Sequence, residues 1–178
     1  MRLFRDAVDL RERPVKAAGT VLRAAAFHVE ARPLSHTVPA LGYRLVEAAG
    51  RRMLPDRLAA FGITGPDIGR LQHEGRLVIG DRLVTVEQVS EPRRGQRFAF
   101  IMDTRLCDAA FELADGADMV VCESTFAETE AGLAREYGHL TAGQAGRIAA
   151  EAGARLLVLT HFSQAAPGHI ADRRHERA

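Results

Sequence analysis

Phe98-Ala99-Phe100-Ile101-Met102-Asp103, Met119-Val120-Val121-Cys122-Glu123 and Leu156-Leu157-Val158-Leu159-Thr160-His161 decide the fold. Each is a short apolar run that ends on a carboxylate or an imidazole, and runs of this length read as buried strands. The segments between them, about 108–114 and 141–152, carry helical spacing, so strand and helix alternate from Arg97 onward and predict an α/β layer. In such a layer the loops just past the carboxyl ends of the strands build the site. Asp103, Glu123 and His161 are therefore expected on one rim. Thr141-Ala142-Gly143-Gln144 opens the last helix as a capping box and Gly153 ends it, with His139 on the loop that feeds it.

Upstream, the first plausible strand runs from about Thr20 to Ala26. Phe27 to Arg32 and Leu41 to Leu45 then alternate apolar and polar residues at period two, as half-buried strands do. His36 sits between them in Pro33-Leu34-Ser35-His36-Thr37-Val38-Pro39, a loop bracketed by prolines. From Ala48 to Arg94 the texture changes to short pieces rich in Arg, Gly and Pro. Short helices are expected over 55–61 and 66–74, the second stopped by Gly75, and small strands over 76–89 about a Gly80-Asp81 turn. This stretch carries few large apolar residues, so it is expected to have no core of its own and to leave the main domain as an excursion. Its arginines at 51, 52, 57, 70, 76, 82, 93 and 94 outnumber its acids.

A chain of 178 residues fits one domain and can bury a core without staples. With 24 Lys and Arg against 23 Asp and Glu, whole-chain charge points to neither nucleic-acid nor membrane binding, so any basic footprint must be local. Cys107 and Cys122 have no CxxC spacing and fit reduced thiols in a cytoplasm. No signal-peptide core opens the chain and no apolar run is long enough for a membrane span. Met1 to Leu10 enters without a strand of its own, as if the chain began inside a larger fold.

Singly, Asp103 can be a turn residue, Glu123 a buried partner for an arginine, and the histidines ordinary loop residues. Together at the mouth of one sheet they are the ligand and acid/base set of a hydrolytic zinc site. Pro33 to Arg44, Met102-Asp103-Thr104-Arg105, Glu123-Ser124-Thr125-Phe126, Gly138-His139-Leu140-Thr141-Ala142-Gly143-Gln144-Ala145 and Leu159-Thr160-His161-Phe162-Ser163-Gln164 resemble, in that order, the C-terminal half of ribonuclease Z, a tRNA 3′-processing endoribonuclease of the metallo-β-lactamase superfamily. The resemblance runs from about residue 15 to 164. It implies part of an αββα metallo-β-lactamase sandwich, a single domain over 1–178, with residues 47–94 as an inserted flexible arm. By the same resemblance His36 is a ligand of the first zinc, Asp103 bridges both zincs of a complete site and His161 is a ligand of the second. Glu123 and His139 match a hydrogen-bonded pair whose imidazolium protonates the departing 3′-oxygen. The arm grips precursor tRNA, its Gly-Pro motif matching Gly65-Pro66, with Arg57 and Arg70 as substrate contacts; a platform of cations suits folded RNA recognised by shape and phosphate. The full-length enzyme is expected to be a cytoplasmic homodimer that binds neither membrane nor DNA.

The hallmark H-x-H-x-D-H of the superfamily is nowhere in the chain and is expected upstream of Met1. The chain by itself is therefore expected to be inactive and unable to hold two zincs. Gln164 to Gly168 replaces the family's Arg-Tyr, the tail 172–178 replaces its last elements, and Cys122 stands where many relatives have histidine. Two other readings stay open: another hydrolase of the same fold, arylsulfatase-like or phosphodiesterase, or a non-catalytic RNA-binding or subunit-interaction module.

Overall fold

The computed structural model describes residues 13–163; the opening stretch from Met1 to Leu10 and the segment from Gln164 to Ala178 lie outside the described residues. Three strands, β1 (Gly19–Arg23), β2 (Phe27–Leu34) and β3 (Ala40–Glu47), form an antiparallel meander. The chain then leaves through β4 (Gly50–Met53), α1 (Pro55–Ala60), α2 (Pro66–Glu74), β5 (Arg76–Ile79), β6 (Arg82–Thr85) and β7 (Ser90–Arg93). It returns as β8 (Arg97–Ile101), α3 (Asp108–Ala114), β9 (Met119–Glu123), α4 (Ala131–Tyr137), α5 (Ala142–Glu151) and β10 (Leu157–Thr160). The six strands of the main sheet order as β1-β2-β3-β8-β9-β10, with β3 antiparallel to β8 and the last three strands mutually parallel.

Apolar residues alternate along β8, and this sorts the two faces of the sheet. Ala99 and Ile101 are fully buried with Val120 and Cys122 under α3 and α5, where Leu113 and Ile148 meet them. Burying a side chain such as Leu113 or Ile148 stabilises the layer by about 1.5–3 kcal/mol each. Arg44 lies on the same face and donates from its two terminal nitrogens to the Glu112 and Asp115 carbonyls at 3.1 and 2.9 Å. Those carbonyls end α3, and a cation there also complements the helix dipole; burial holds the Arg44 guanidinium below its usual range. The other face carries Tyr43, Phe98, Phe100 and Val158, each 37–40% exposed. The sheet is thus apolar on both sides, as expected of one layer of a sandwich.

Residues 50–93 correct one expectation. Leu58, Ile63, Leu71, Leu77, Val84, Val86 and Val89 form a separate buried cluster, with Met53, Phe61, Ile68 and Ile79 against it. The apolar residues are few, but two short helices and two two-stranded sheets turn most of them inward, Val78 and Leu83 of the hairpin being exposed. Residues 86–89 are a 3₁₀ turn rather than strand, and the β4–β7 ladder, which closes the base of the segment, carries no period-two signal in Gly50-Arg51-Arg52-Met53. At the neck the Glu47 carboxylate accepts from Arg93 at 2.8 and 3.2 Å and from the Gln96 backbone at 2.9 Å. The Arg93 hydrogen bond, then that of Gln96, holds Glu47 below the usual carboxylate range. A Cβ at Gly95 would overlap the Glu47 carbonyl, so only glycine lets the two neck strands come this close.

Elsewhere the first strand ends at Arg23, before Ala26, and α4 forms where the sequence shows no helical spacing. Ala131-Gly132-Leu133-Ala134-Arg135-Glu136-Tyr137 buries only Ala134 completely and so carries little periodicity. The capping box of α5 is formed: Gln144 N donates to Thr141 Oγ1 at 3.1 Å and Thr141 N to Gln144 Oε1 at 3.0 Å. No helix among the described residues is long and apolar enough to cross a membrane.

Candidate active site

Strand register gathers the site. Ile101 pairs with Cys122, Cys122 with Leu159 and Glu123 with Thr160, so Asp103, Glu123 and His161 leave three adjacent parallel strands at one rim. β3 runs antiparallel to β8, which brings the β2–β3 loop with His36 to the same end. Two bonds pin that loop: Arg105 N donates to Ser35 O at 2.7 Å and Ser35 N to Thr104 Oγ1 at 3.2 Å. His139 arrives from the α4–α5 connection, with its ring centroid 4.8 Å from that of His36 and 5.3 Å from that of His161. Asp103 and His161 both have positive φ, 53° and 58°. A non-glycine residue held in the left-handed region costs about 1–3 kcal/mol and is typical of sites where the fold overrules local preference.

Glu123 is the hub. Its side chain is fully buried and receives Thr104 N at 2.6 Å, Thr125 Oγ1 at 2.6 Å, Leu140 N at 3.1 Å and His139 Nδ1 at 3.0 Å. With donors on every side the carboxylate is an acceptor throughout, so His139 carries its hydrogen on Nδ1 and turns Nε2 away from the hub. Thr125 spends its own hydrogen on Glu123, so its oxygen accepts from His161 Nδ1, 2.9 Å away. His36 Nδ1 lies 2.9 Å from the Gly138 carbonyl, which can only accept. Both His36 and His161 are thereby fixed as the tautomer with a bare Nε2. Gly138 has φ of 83°, and a Cβ there would stand 2.9 Å from His36 Nδ1, so glycine is needed for the conformation and the approach.

This is how metal-ligating histidines are prepared: the outer nitrogen donates and the inner one is free to coordinate. His36, Asp103 and His139 bring one donor atom each within 4.8 Å of one another, as do Glu123, His139 and His161. His161 Nε2 is also 3.7 Å from Asp103 Oδ1, so Asp103 touches both groups. Imidazole nitrogen with carboxylate oxygen suits a borderline divalent metal, and the donors fit one.

All five rim residues expected from sequence, His36, Asp103, Glu123, His139 and His161, come together. Gly65, Pro66, Arg57 and Arg70 lie apart from them in residues 50–93. Gly65 and Pro66 are the cap and first residue of α2. Arg70 faces Asp67 at 3.2 Å and Glu74 at 3.7 Å, while among the described residues Arg57 reaches only the Gln88 carbonyl at 3.5 Å. The arginine surplus is smaller than the sequence suggests, because Arg52, Arg93 and Arg94 also pair, with Glu91, Glu47 and Asp118. Sequence reasoning assigned no role to Thr104 and Thr125; each stands one or two residues from an expected site residue, and only folding shows that both serve Glu123.

The architecture and the rim define a class, and the comparisons agree: residues 70–162 match the β-lactamase superfamily domain, and the chain belongs to that superfamily. Within it the sequence is homologous to ribonuclease Z across nearly its whole length. It is 60% identical over 162 residues to the ribonuclease Z of Nocardia farcinica, covering 90% of this chain and 53% of that protein. With the ribonuclease Z of Streptomyces avermitilis it shares 59% identity over 161 residues, 90% of this chain and 52% of that one. The chain thus spans about half the length of the curated relatives it matches, their C-terminal part. Among solved structures, the short form of human tRNase Z matches with a TM-score of 0.53 at 22% identity, over 83% of this chain and 40% of that one. A metallo-β-lactamase fold protein from Bacillus subtilis gives 0.54 at 19%, over 87% and 44%. At these identities the two structures speak to the fold.

Proposed function

We propose that this chain is the C-terminal half of a ribonuclease Z, and that the complete enzyme is a zinc-dependent endoribonuclease that removes the 3′ trailer of precursor tRNA and leaves a 3′-hydroxyl. The observation that carries this reading is the buried Glu123–His139 pair, 3.0 Å apart, set beside His36, Asp103 and His161. Zinc held by His36, Asp103 and His161 would supply Lewis-acid charge at the phosphate and activate the attacking water. His139 holds a proton on Nε2 and gives it to the departing 3′-oxygen. Glu123, bonded to Nδ1, keeps the ring oriented with Nε2 toward the departing oxygen. Thr125 and Gly138 hold His161 and His36 in the tautomer that can coordinate.

Residues 47–94 serve in this reading as the arm that grips precursor tRNA, with Arg57, Arg70 and the Gly65-Pro66 turn at its contact surface. A unit with its own core that hangs from the sheet by a narrow neck suits an exosite. The free thiols of Cys107 and Cys122 accord with a cytoplasmic protein, and we extend the reading to a homodimer when full length.

The test joins this chain to the N-terminal half of the Nocardia farcinica ribonuclease Z and assays it on precursor tRNA with zinc. Mature tRNA with a 3′-hydroxyl, lost on chelation, is expected. Hydrolysis of aryl sulfates or small phosphodiesters with precursor tRNA left intact would favour another hydrolase of the fold; tRNA binding without zinc or cleavage would favour a binding module.

A further inference from the structure

A cavity of about 400 Å³ opens beside the acid pair, between the α4–α5 connection and the loop after β8. Arg105, Leu106, Ala131, Arg135, His139 and Gln144 line it. Two guanidiniums, an imidazole and an amide therefore line it, and among the described residues no carboxylate does. Among the described residues neither Arg105 nor Arg135 pairs with an acid, whereas Arg52, Arg70, Arg93 and Arg94 all do. The Arg105 backbone is fixed by Ser35 O at 2.7 Å, and its Nε donates to the Arg135 carbonyl at 3.3 Å. A Cβ on Gly138 would stand 3.4 Å from its Cζ and Nη1, so the guanidinium lies against the turn that also holds His36. Gln144 spends its side-chain oxygen on Thr141 N, which leaves the amide hydrogens to donate.

A half-buried guanidinium with remaining N–H groups, a second, exposed one and an amide donor in one cavity want an anion with several acceptor oxygens. We propose that Arg105, Arg135 and Gln144 form a subsite for a backbone phosphate of single-stranded RNA, the one neighbouring the scissile phosphate on the side of the departing oxygen. The assignment of that side rests on His139 acting as the proton donor in the function proposed above. Arg105 and Arg135 bind the non-bridging oxygens, Gln144 donates a further hydrogen bond, and together they hold the acceptor strand so that its leaving oxygen meets His139. The subsite is separate from the arm: the arm takes folded RNA, this cavity takes the strand.

The test titrates the 178-residue chain with a short single-stranded oligouridylate and, separately, with folded tRNA. The double variant R105Q/R135Q should bind the oligouridylate about tenfold more weakly or worse, the effect expected when hydrogen bonds to a charged group are removed. R135Q alone, at an exposed position, should show part of that effect without disturbing the fold, and R135K should keep most of the affinity. R147Q removes an arginine already paired with Glu151 at 2.7 Å and should change nothing. The subsite is overturned if the parent chain fails to bind the oligouridylate, if the double variant binds it as well as the parent does, or if R147Q weakens it equally. The two proposals can fail apart. Retained tRNA binding with no effect of R105Q/R135Q on the oligouridylate sinks the subsite alone, while an intact subsite in a joined enzyme that leaves precursor tRNA uncut sinks the tRNA reading alone.

Discussion

The segment 50–93 and the six-stranded sheet solve the burial problem in opposite ways. The smaller one hides Ile63, Leu71, Val84 and Val89 almost completely within itself. The larger one buries a single face and leaves Tyr43, Phe98, Phe100 and Val158 in contact with water. Self-sufficiency and chemistry are thus separated in this molecule. The finished unit carries arginines and no acid/base pair; the half-covered sheet carries every donor of the candidate active site on its rim. Charge does not divide that way: Arg52, Arg70 and Arg93 of the segment and Arg147 and Arg155 of the main layer are matched by acids, while Arg57 of the segment and Arg105 and Arg135 beside the rim have none among the described residues.

The sharpest way to test that division is to disable the rim and watch the segment. In the ribonuclease Z proposed above, with this chain joined to an N-terminal half, His139→Ala should lower the cleavage rate by roughly 10²–10⁴-fold, the range of general acid catalysis. Affinity for precursor tRNA, which the proposed reading assigns to the segment, should hardly move, because proton transfer acts only in the transition state. Equal drops in rate and binding would mean that the two regions are not separate in function. Metal makes a second cut. With His36, Asp103 and His161 as its ligands and no others expected in this chain, zinc binding by the chain alone should be weak and substoichiometric; a full pair of tightly held zincs in a metal assay contradicts the assignment of ligands.

The reverse experiment damages the segment. Leu71 is fully buried in the small cluster, so Leu71→Ala should destabilise it by about 2–5 kcal/mol. Hydrogen exchange should then quicken in β4 to β7 and stay slow in β8 to β10. A uniform drop in protection would show one cooperative unit instead of two, and the neck at Glu47, Arg93 and Gly95 would then transmit stability as well as connect.

The sequence was most legible where periodicity and position coincide. Parallel strands ending on Asp103, Glu123 and His161 could be read because an apolar run fixes where a strand stops, and α/β layering fixes what lies beyond it. Three things stayed hidden for physical reasons. The core of the segment is assembled from single residues on short elements, Leu58, Ile63, Leu71 and Val84, which no period connects. The role of Thr125 depends on a rotamer that lets one hydroxyl serve Glu123 and His161 together. Arg105 and Arg135 lie thirty residues apart in sequence and share a cavity only because Arg105 folds over Gly138 toward the Arg135 carbonyl.

The smallest expected effect separates two arginines that look equivalent in sequence. Arg70 already faces Asp67 and Glu74, so reaching an RNA phosphate would mean giving up those pairs, which are exposed and worth about 0–1 kcal/mol. Arg57 gives up only a long bond to the Gln88 carbonyl. If both contact tRNA, Arg57→Gln should weaken binding more than Arg70→Gln. For every phosphate that a variant no longer neutralises, the plot of log affinity against log salt should also flatten by about 0.9. Salt titrations of the two variants against the parent chain read this directly. A flatter slope for Arg57→Gln alone would show that the acids of α2 withhold Arg70 from the RNA. Equal slopes below the parent would mean that tRNA displaces Asp67 and Glu74 at little cost, and two slopes unchanged from the parent would move the grip of the segment away from both arginines, toward Arg76 and Arg82 on the β5–β6 hairpin.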